Sequence, residues 1–358
     1  MNNLKVVSVI VPIRNEAAFI ERSLGAILAQ DYPKNLMEII VADGMSDDGT
    51  REIVQRITGN QKSERISKGA NACPTILLLD NPGKVVPTGL NIAIKYAKGD
   101  VIVRVDGHCV IASDYIKNCV DMLQKTGADN VGGLQRAVSG NLLGNAIAAA
   151  TGCPFGVGWS RFHYAGKPGW IDTVYLGAYR REVFDRIGNF DEELVRNQDD
   201  EFNFRLTQSG GKIWMDPSIR SVYYCRSSLP GLWKQYYQYG FYKVRVIQKR
   251  GAVQSWRHLI PAVFVSCLFL TIFMALLTFN PLWGIAITGP YISANLIACL
   301  WVGRRNLRVL PLLPVTFLIL HLSYGLGFLC GIAYWWRKKS KKKLSSLSPT
   351  PLLHKYDL

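Results

Sequence analysis

Val6-Val7-Ser8-Val9-Ile10-Val11 runs straight into Pro12-Ile13-Arg14-Asn15-Glu16, and this passage decides the fold. The first six residues are β-branched apart from Ser8 and lack the polar alternation of a half-solvated strand. They predict a strand buried on both faces. Residues 15–30 follow with apolar side chains at helical spacing (Phe19, Ile20, Leu24, Ile27, Leu28). The same order then repeats: a strand over 37–42 and a helix over 48–57, a strand over 75–79 and a helix over 87–97 stopped by Gly99, and a strand over 101–105 ending on Asp106. Strands alternating with helices predict a parallel, doubly wound α/β sheet. Ligands bind such sheets beyond the carboxyl ends of the strands, here at 14–16, 43–48, 80–84 and 106–108.

Past Asn130 the alternation loosens. Residues 139–170 are rich in Gly and Ala and read as an irregular connection holding one helix near 141–150. Regular structure resumes at 180–187, with a helix over 198–209 and strands over 212–215 and 219–224. An aromatic and basic helix over 232–250 suits a membrane surface. There is no internal repeat, and 337–343 is the one low-complexity segment.

The C-terminal third differs in kind. Residues 259–303 and 309–336 contain no Asp, Glu, Lys or Arg. Crossing ~30 Å of hydrocarbon takes about 20 residues, so this part reads as membrane. Residues 259–279 and 282–303 form two spans around Asn280-Pro281. Residues 309–336 form either a third full span or a re-entrant hairpin breaking near 321–325. Length favours the span, whereas the positive-inside rule favours the hairpin, because a third crossing carries the basic 337–343 to the far side. His321 within it reads as a polar helix contact rather than a proton site.

Charge follows the same division. The net charge is +16, and fifteen Lys and Arg face one Asp from Gly240 onward, which leaves 1–239 nearly neutral. A nucleic-acid binder carries its positive charge as a patch on the folded domain; here it flanks apolar spans, so nucleic acid is not an expected partner. The eight cysteines form no zinc spacing and read as scattered reduced thiols. The N-terminus reads as a first strand and not as a signal peptide, which keeps the α/β part in the cytoplasm. The expected division is a cytoplasmic domain over 1–228, an amphipathic interfacial helix over 229–257, transmembrane helices over 258–336 and a basic tail over 337–358. The chain is expected to be multi-pass in the inner (plasma) membrane.

Acidic residues gather at the strand ends. Asp43 closes the second strand in Val41-Ala-Asp-Gly-Met-Ser-Asp-Asp-Gly-Thr50, and Asp106 closes the fourth in Arg104-Val-Asp-Gly-His108. A strand-end carboxylate with a second ligand two positions on can hold a divalent cation against a diphosphate. The plainer reading of Asp43 is a helix cap or Asx-turn, and of Asp106 a strand-to-loop turn. In Asn197-Gln-Asp-Asp-Glu-Phe-Asn-Phe-Arg-Leu206, the acids either suit a helix N-terminus electrostatically or include a general base.

These residues resemble the inverting family 2 glycosyltransferases of GT-A fold. The resemblance rests on residues 8–16 with 41–50, on Asp106-Gly-His108, and on Gln198-Asp199 ahead of Phe202 and Arg205-Leu206, ordered over residues 4–245. The subgroup is similar to the succinoglycan-type glucosyltransferases of exopolysaccharide assembly, through 103–108, Cys153-Pro-Phe-Gly-Val-Gly158 and 197–206. The resemblance implies a GT-A, Rossmann-like, mostly parallel sheet with a C-terminal helical membrane region. It implies that Pro12, Glu16 and Asp43 line the nucleotide base, that Asp106 faces the ribose or metal, and that His108 stands where a second Asp usually coordinates Mn2+ or Mg2+. Imidazole there favours Mn2+. Asp199 matches the catalytic base, with Asp200 close enough for a shift of register.

By the same resemblance the implied reaction is a single inverting displacement, moving one sugar (glucose) from a UDP-sugar to a polyprenyl-diphosphate-linked saccharide. The alternatives are transfer to polyprenyl phosphate itself and a non-catalytic nucleotide-sugar-binding membrane protein. Processive relatives carry Gln-x-x-Arg-Trp; here residues 233–240 lack Arg-Trp, which implies single additions. Arg180 and Arg181 either meet an acceptor phosphate or are ordinary solvated arginines, the second being the plainer reading.

Overall fold

A computed structural model describes residues 4–69, 73–158 and 160–345; the end of the expected basic tail, from 346 on, lies outside the described residues. Strand β1 (Val7–Ile13) is buried at all seven positions. Its alternate side chains divide between two cores, with Val7, Val9 and Val11 on one side and Ile10 on the other. It pairs in parallel with β2 (Met37–Asp43) and β4 (Val101–Arg104), and β2 pairs with β3 (Thr75–Asp80). Helices α1 (Ile20–Leu28), α2 (Thr50–Lys68) and α3 (Val86–Tyr96) make the crossovers.

The parallel half ends there. Helix α4 (Tyr115–Thr126) follows the short β5 (Cys109–Ile111), and the sheet continues through β6 (Asn130–Val138), β7 (Gly169–Ile171), β8 (Tyr175–Arg180) and β9 (Ile213–Tyr224). Its nine strands run in the order β3-β2-β1-β4-β8-β6-β9-β5, with β7 also on β9. Strand β8 is antiparallel to β4 and β6, while β6 is parallel to β9. The expected strands at 212–215 and 219–224 are therefore one strand, broken only by a register shift opposite Gly132 and Leu134. Gly133 is required there, because a Cβ would lie 1.7 Å from the Ile219 carbonyl oxygen.

Two regions near the site differ from the sequence reading. The first helix starts at Ile20 rather than 15, because Asn15 is left-handed (φ 56°) and begins a loop instead. The 139–170 connection holds α5 (Leu142–Thr151), near the expected helix, but also the short α6 (Pro154–Val157). After β8 and α7 (Arg181–Ile187), α8 (Gln198–Gln208) starts from a left-handed Asn197. All eight cysteines are free thiols.

Helix α9 (Leu229–Arg250) leads to α10 (Ile260–Thr278), α11 (Leu282–Gly303) and α12 (Leu313–Ser345). Three stretches are long and apolar enough to cross a membrane: Trp256–Thr278, Leu282–Gly303 and Leu307–Lys338. Helix α12 is unbroken through 321–325, the expected hairpin break. It lies against α9 along a seam of glycines: a Cβ on Gly327 would sit 2.1 Å from the Tyr237 carbonyl oxygen, and one on Gly240 2.1 Å from that of Tyr324. Small residues permit such backbone approach between helices. Gly327→Leu should cost about 1–3 kcal/mol or more through overpacking. Thermal unfolding in detergent checks it against Gly284→Leu, which enters open space and should leave the transition unmoved.

Candidate active site

The carboxyl ends of β1 and β4 meet the start of α8 in one cavity of about 1350 Å³. Its shape depends on local chain reversals. Left-handed Asn15 turns the backbone so that its N–H donates to Ser46 Oγ at 2.9 Å, and the next amide, of Glu16, donates to Thr50 Oγ1 at 2.8 Å. The Asp47 and Asp48 carboxylates accept from Asn15 Nδ2 and the Ala17 amide. These two acids fasten the 41–50 loop to the 15–17 loop.

Glu16 points from this junction at His108, with Oε1 2.8 Å from Nδ1. Burial alone would lower the imidazole pKa; the Glu16 hydrogen bond and charge override it and hold the pKa above its ordinary value. A carboxylate on Nδ1 orients the ring with Nε2 turned away from Glu16, the arrangement in which metal-binding histidines are commonly held. Tyr223 stands edge-on to the ring, with centroids 5.3 Å apart.

Asp106 is gripped by a residue the sequence reading passed over. Arg104 Nε donates to Asp106 Oδ1 at 2.9 Å and its Nη2 to Oδ2 at 3.2 Å. Arg104 Nη1 lies 3.8 Å from Asp199 Oδ2, so one guanidinium stands between both carboxylates. Its side chain is 7% exposed. The signal was available: residues two apart on a strand share a face, and Arg104 is a cation inside an apolar strand.

The three acids that begin α8 have three different surroundings. Glu201 is fully buried and paired with Arg205 and Arg250. Asp200 is held by Lys243 of α9; burial would raise its carboxyl, but the ammonium keeps it below the usual range. Asp199 lines the cavity with its side chain 35% exposed. Asn197 Nδ2 donates to the Tyr239 carbonyl at 2.9 Å, fixing the start of α8 to α9.

Pro12, Glu16, Asp106, His108 and Asp199 thus share one cavity. Asp43 does not line it. Its buried carboxylate accepts from Ser46 Oγ at 2.5 Å and pairs with Arg51 at 3.2 Å, and Arg51 also pairs with Asp80. Arg180 and Arg181 are elsewhere too: they donate to the carbonyls of Ala128 and Gly99, at the opposite ends of the strands.

Among the described residues there is no group of three or more His, Cys, Asp or Glu that could hold a metal. Asp106 and His108 fit an implied cation as a carboxylate–imidazole pair of the kind that suits Mn2+, with substrate phosphates supplying the remaining ligands and the cation sharing the Asp106 oxygens with Arg104.

The cavity also reaches the apolar helices, where Phe264, Tyr291, Leu320 and His321 line it. Tyr291 Oη is 3.0 Å from His321 Nδ1, and His321 Nε2 is 2.8 Å from the Phe155 carbonyl oxygen. His321 is thereby a polar helix contact.

Residues 8–188 match the Glycosyl transferase family 2 domain. The succinoglycan biosynthesis protein ExoA of Rhizobium meliloti (strain 1021) is 30% identical over 325 residues, covering 89% of this chain and 93% of that protein. The dolichyl N-acetyl-alpha-D-glucosaminyl phosphate 3-beta-D-2,3-diacetamido-2,3-dideoxy-beta-D-glucuronosyltransferase of Methanococcus voltae is 28% identical over 335 residues, covering 92% and 98%. Among solved structures, the mannosyltransferase PcManGT from Pyrobaculum calidifontis, in complex with GDP-Man and Mn2+, superposes with a TM-score of 0.58 at 19% identity, covering 92% of this chain and 88% of that one. At that identity the likeness is one of fold.

Proposed function

The chain belongs to glycosyl transferase family 2, and from that we propose that it moves a single sugar from a UDP-sugar to a saccharide carried on a membrane polyprenyl diphosphate, with inversion at the anomeric carbon. It is a glycosyltransferase of GT-A fold with an apolar helical region. The observation that carries the acceptor assignment is the continuity of the cavity from Asp106 and Asp199 to Phe264 and Tyr291. A lipid-borne acceptor needs both ends of that path. The Rhizobium relative's name ties it to an exopolysaccharide, and the Methanococcus relative's to a saccharide on dolichyl phosphate.

In this reading Asp199 takes the proton of the acceptor hydroxyl. The freed oxygen attacks the anomeric carbon as the bond to the nucleoside diphosphate breaks on the opposite face, so an α-linked donor gives a β-glycoside. The cation partners of Asp200 and Glu201 argue against that part for either of them. Asp106 and His108 would hold a divalent cation, which supplies charge compensation for the departing diphosphate. Arg104 sets the Asp106 carboxylate and keeps positive charge beside Asp199. Pro12 and Glu16 form the nucleotide side of the cavity. Asp43 supports that side indirectly, through Ser46 and Arg51.

His108→Ala should move the Mn2+ activation midpoint to at least about 10–100-fold higher concentration, the range seen when even an outer-shell partner is lost; an unchanged titration removes His108 from the cation site. Mass spectrometry of products from a UDP-sugar panel tests the reading as a whole. Product is expected on a polyprenyl-diphosphate-linked saccharide and not on bare polyprenyl phosphate. Transfer to the bare lipid phosphate overturns the acceptor assignment.

A further inference from the structure

We infer that α12 does not cross the bilayer: it lies along the membrane surface on the catalytic side, its outer face against an anionic lipid monolayer. The inference depends on what α12 touches and not on the reaction. Helices α9 and α12 run side by side over nearly their whole common length. Leu232 belongs to the same apolar cluster as Phe317 and Leu320. Further along, Gly327 meets the Tyr237 carbonyl and Gly331 that of Phe241. The Trp335 indole N–H donates to the Phe241 carbonyl at 3.2 Å, Arg245 stacks over the Trp335 ring at 5.1 Å, and Lys338 Nζ reaches Glu193 at 3.3 Å. From Phe317 to Lys338 is roughly 32 Å of helix at 1.5 Å per residue, about the thickness of the hydrocarbon.

In its C-terminal third α9 is fixed to the catalytic domain by ion pairs, and ahead of them the Tyr239 carbonyl accepts from Asn197. Lys243 pairs with Asp200, Arg245 with Glu193 at 2.9 Å and Lys249 with Asp191 at 2.5 Å. A helix holding these charges against a polar domain cannot traverse hydrocarbon, and neither can a neighbour at the same depth. The far end of α12 is tied to the domain as well, through Phe317 against Phe155 and through His321.

The other two apolar stretches behave differently. Of the most apolar window in each, 11% is buried for Trp256–Thr278 and 22% for Leu282–Gly303, against 44% for Leu307–Lys338. Phe269, Phe273, Leu276 and Leu277 on α10 are all more than half exposed. Both helices touch α12, at Pro261 and Val265 of α10 against Gly325 and at Ala298, Cys299 and Val302 of α11 beside Phe317 and Leu320, while the rest of α10 keeps its apolar side chains exposed. On α12 the exposed large apolar side chains lie toward its two ends, Val315 and Leu318 at one and Ile332, Tyr334 and Trp336 at the other. Arg337 and Lys338 follow directly, and the sequence continues basic to 343, which suits an anionic monolayer. Surface placement removes the conflict with the positive-inside rule, because the basic segment never leaves the catalytic side.

Two measurements on the full chain in vesicles decide it. Peptide tags before Met1 and after Leu358 should be digested by external protease in the same vesicle orientation; digestion in opposite orientations overturns the inference. Nitroxide labels at Leu318→Cys, Leu322→Cys and Ile332→Cys, each combined with Cys330→Ser, should report one common depth. A gradient of about 21 Å between 318 and 332, at 1.5 Å per residue, means a span. A deepest label at 322 means a hairpin. Either result sinks the surface placement.

Discussion

Replacing Asp199 with Asn should reduce kcat by about 10²–10⁴-fold, the contribution of a positioned general base, while UDP affinity by calorimetry stays within a few-fold. The substitution keeps the shape of the side chain and its acceptance of the Asp200 amide at 2.9 Å, but removes the proton acceptor. Asp200→Asn is the informative companion. It strands the Lys243 ammonium, which is 7% exposed, so its first effect should be a lower unfolding temperature. Full turnover in the Asp199 variant would discard the base assignment. A normal melting temperature with lost turnover in the Asp200 variant would move the base by one residue.

Arg104→Met should be the most damaging substitution for stability within the site. Asp106 is 14% exposed at its side chain and bound at both oxygens by Arg104. Removing one partner of such a pair leaves an uncompensated charge, at a cost of about 3–5 kcal/mol. Adding Asp106→Asn should restore part of the loss, and the double-mutant cycle in thermal or denaturant unfolding measures the coupling. Additive losses would mean that the two side chains do not act as a pair. Arg104 also faces Asp199, so the single variant should lose turnover beyond what its lowered stability explains.

The parts legible in the sequence were those whose signal is local. The β1 run, the carboxylate after β4 and the acid-rich start of α8 each announce themselves within about ten residues. The second half of the sheet did not, because β6 carries Gly132 and Gly133 where Val174 and Tyr175 on one side and Ile219 of β9 on the other come too close for a side chain, and β8 pairs with strands distant in sequence. Asp43 looked like a ligand-facing acid because its sequence neighbourhood does not reveal that Arg51, the second residue of α2, reaches back to it. The different surroundings of Asp199, Asp200 and Glu201 depend on Lys243 and Arg250, both more than forty residues away. Hydropathy identified α12 as apolar but does not record what lies beside a helix, so it could not distinguish a span from a helix seated on α9.

The ion pairs between the catalytic domain and α9 bear on where this enzyme may be divided. Asp191, Glu193, Asp200 and Glu201 all draw cations from the stretch between Lys243 and Arg250. A fragment cut at 228, where the sequence alone suggests the domain ends, would keep four carboxylates and discard their α9 counterions, leaving only Glu201 with a cation partner, Arg205, beside the very helix that presents Asp199. The catalytic unit therefore extends at least through Gly251, and grafting this domain onto another membrane anchor would have to carry α9 along with it.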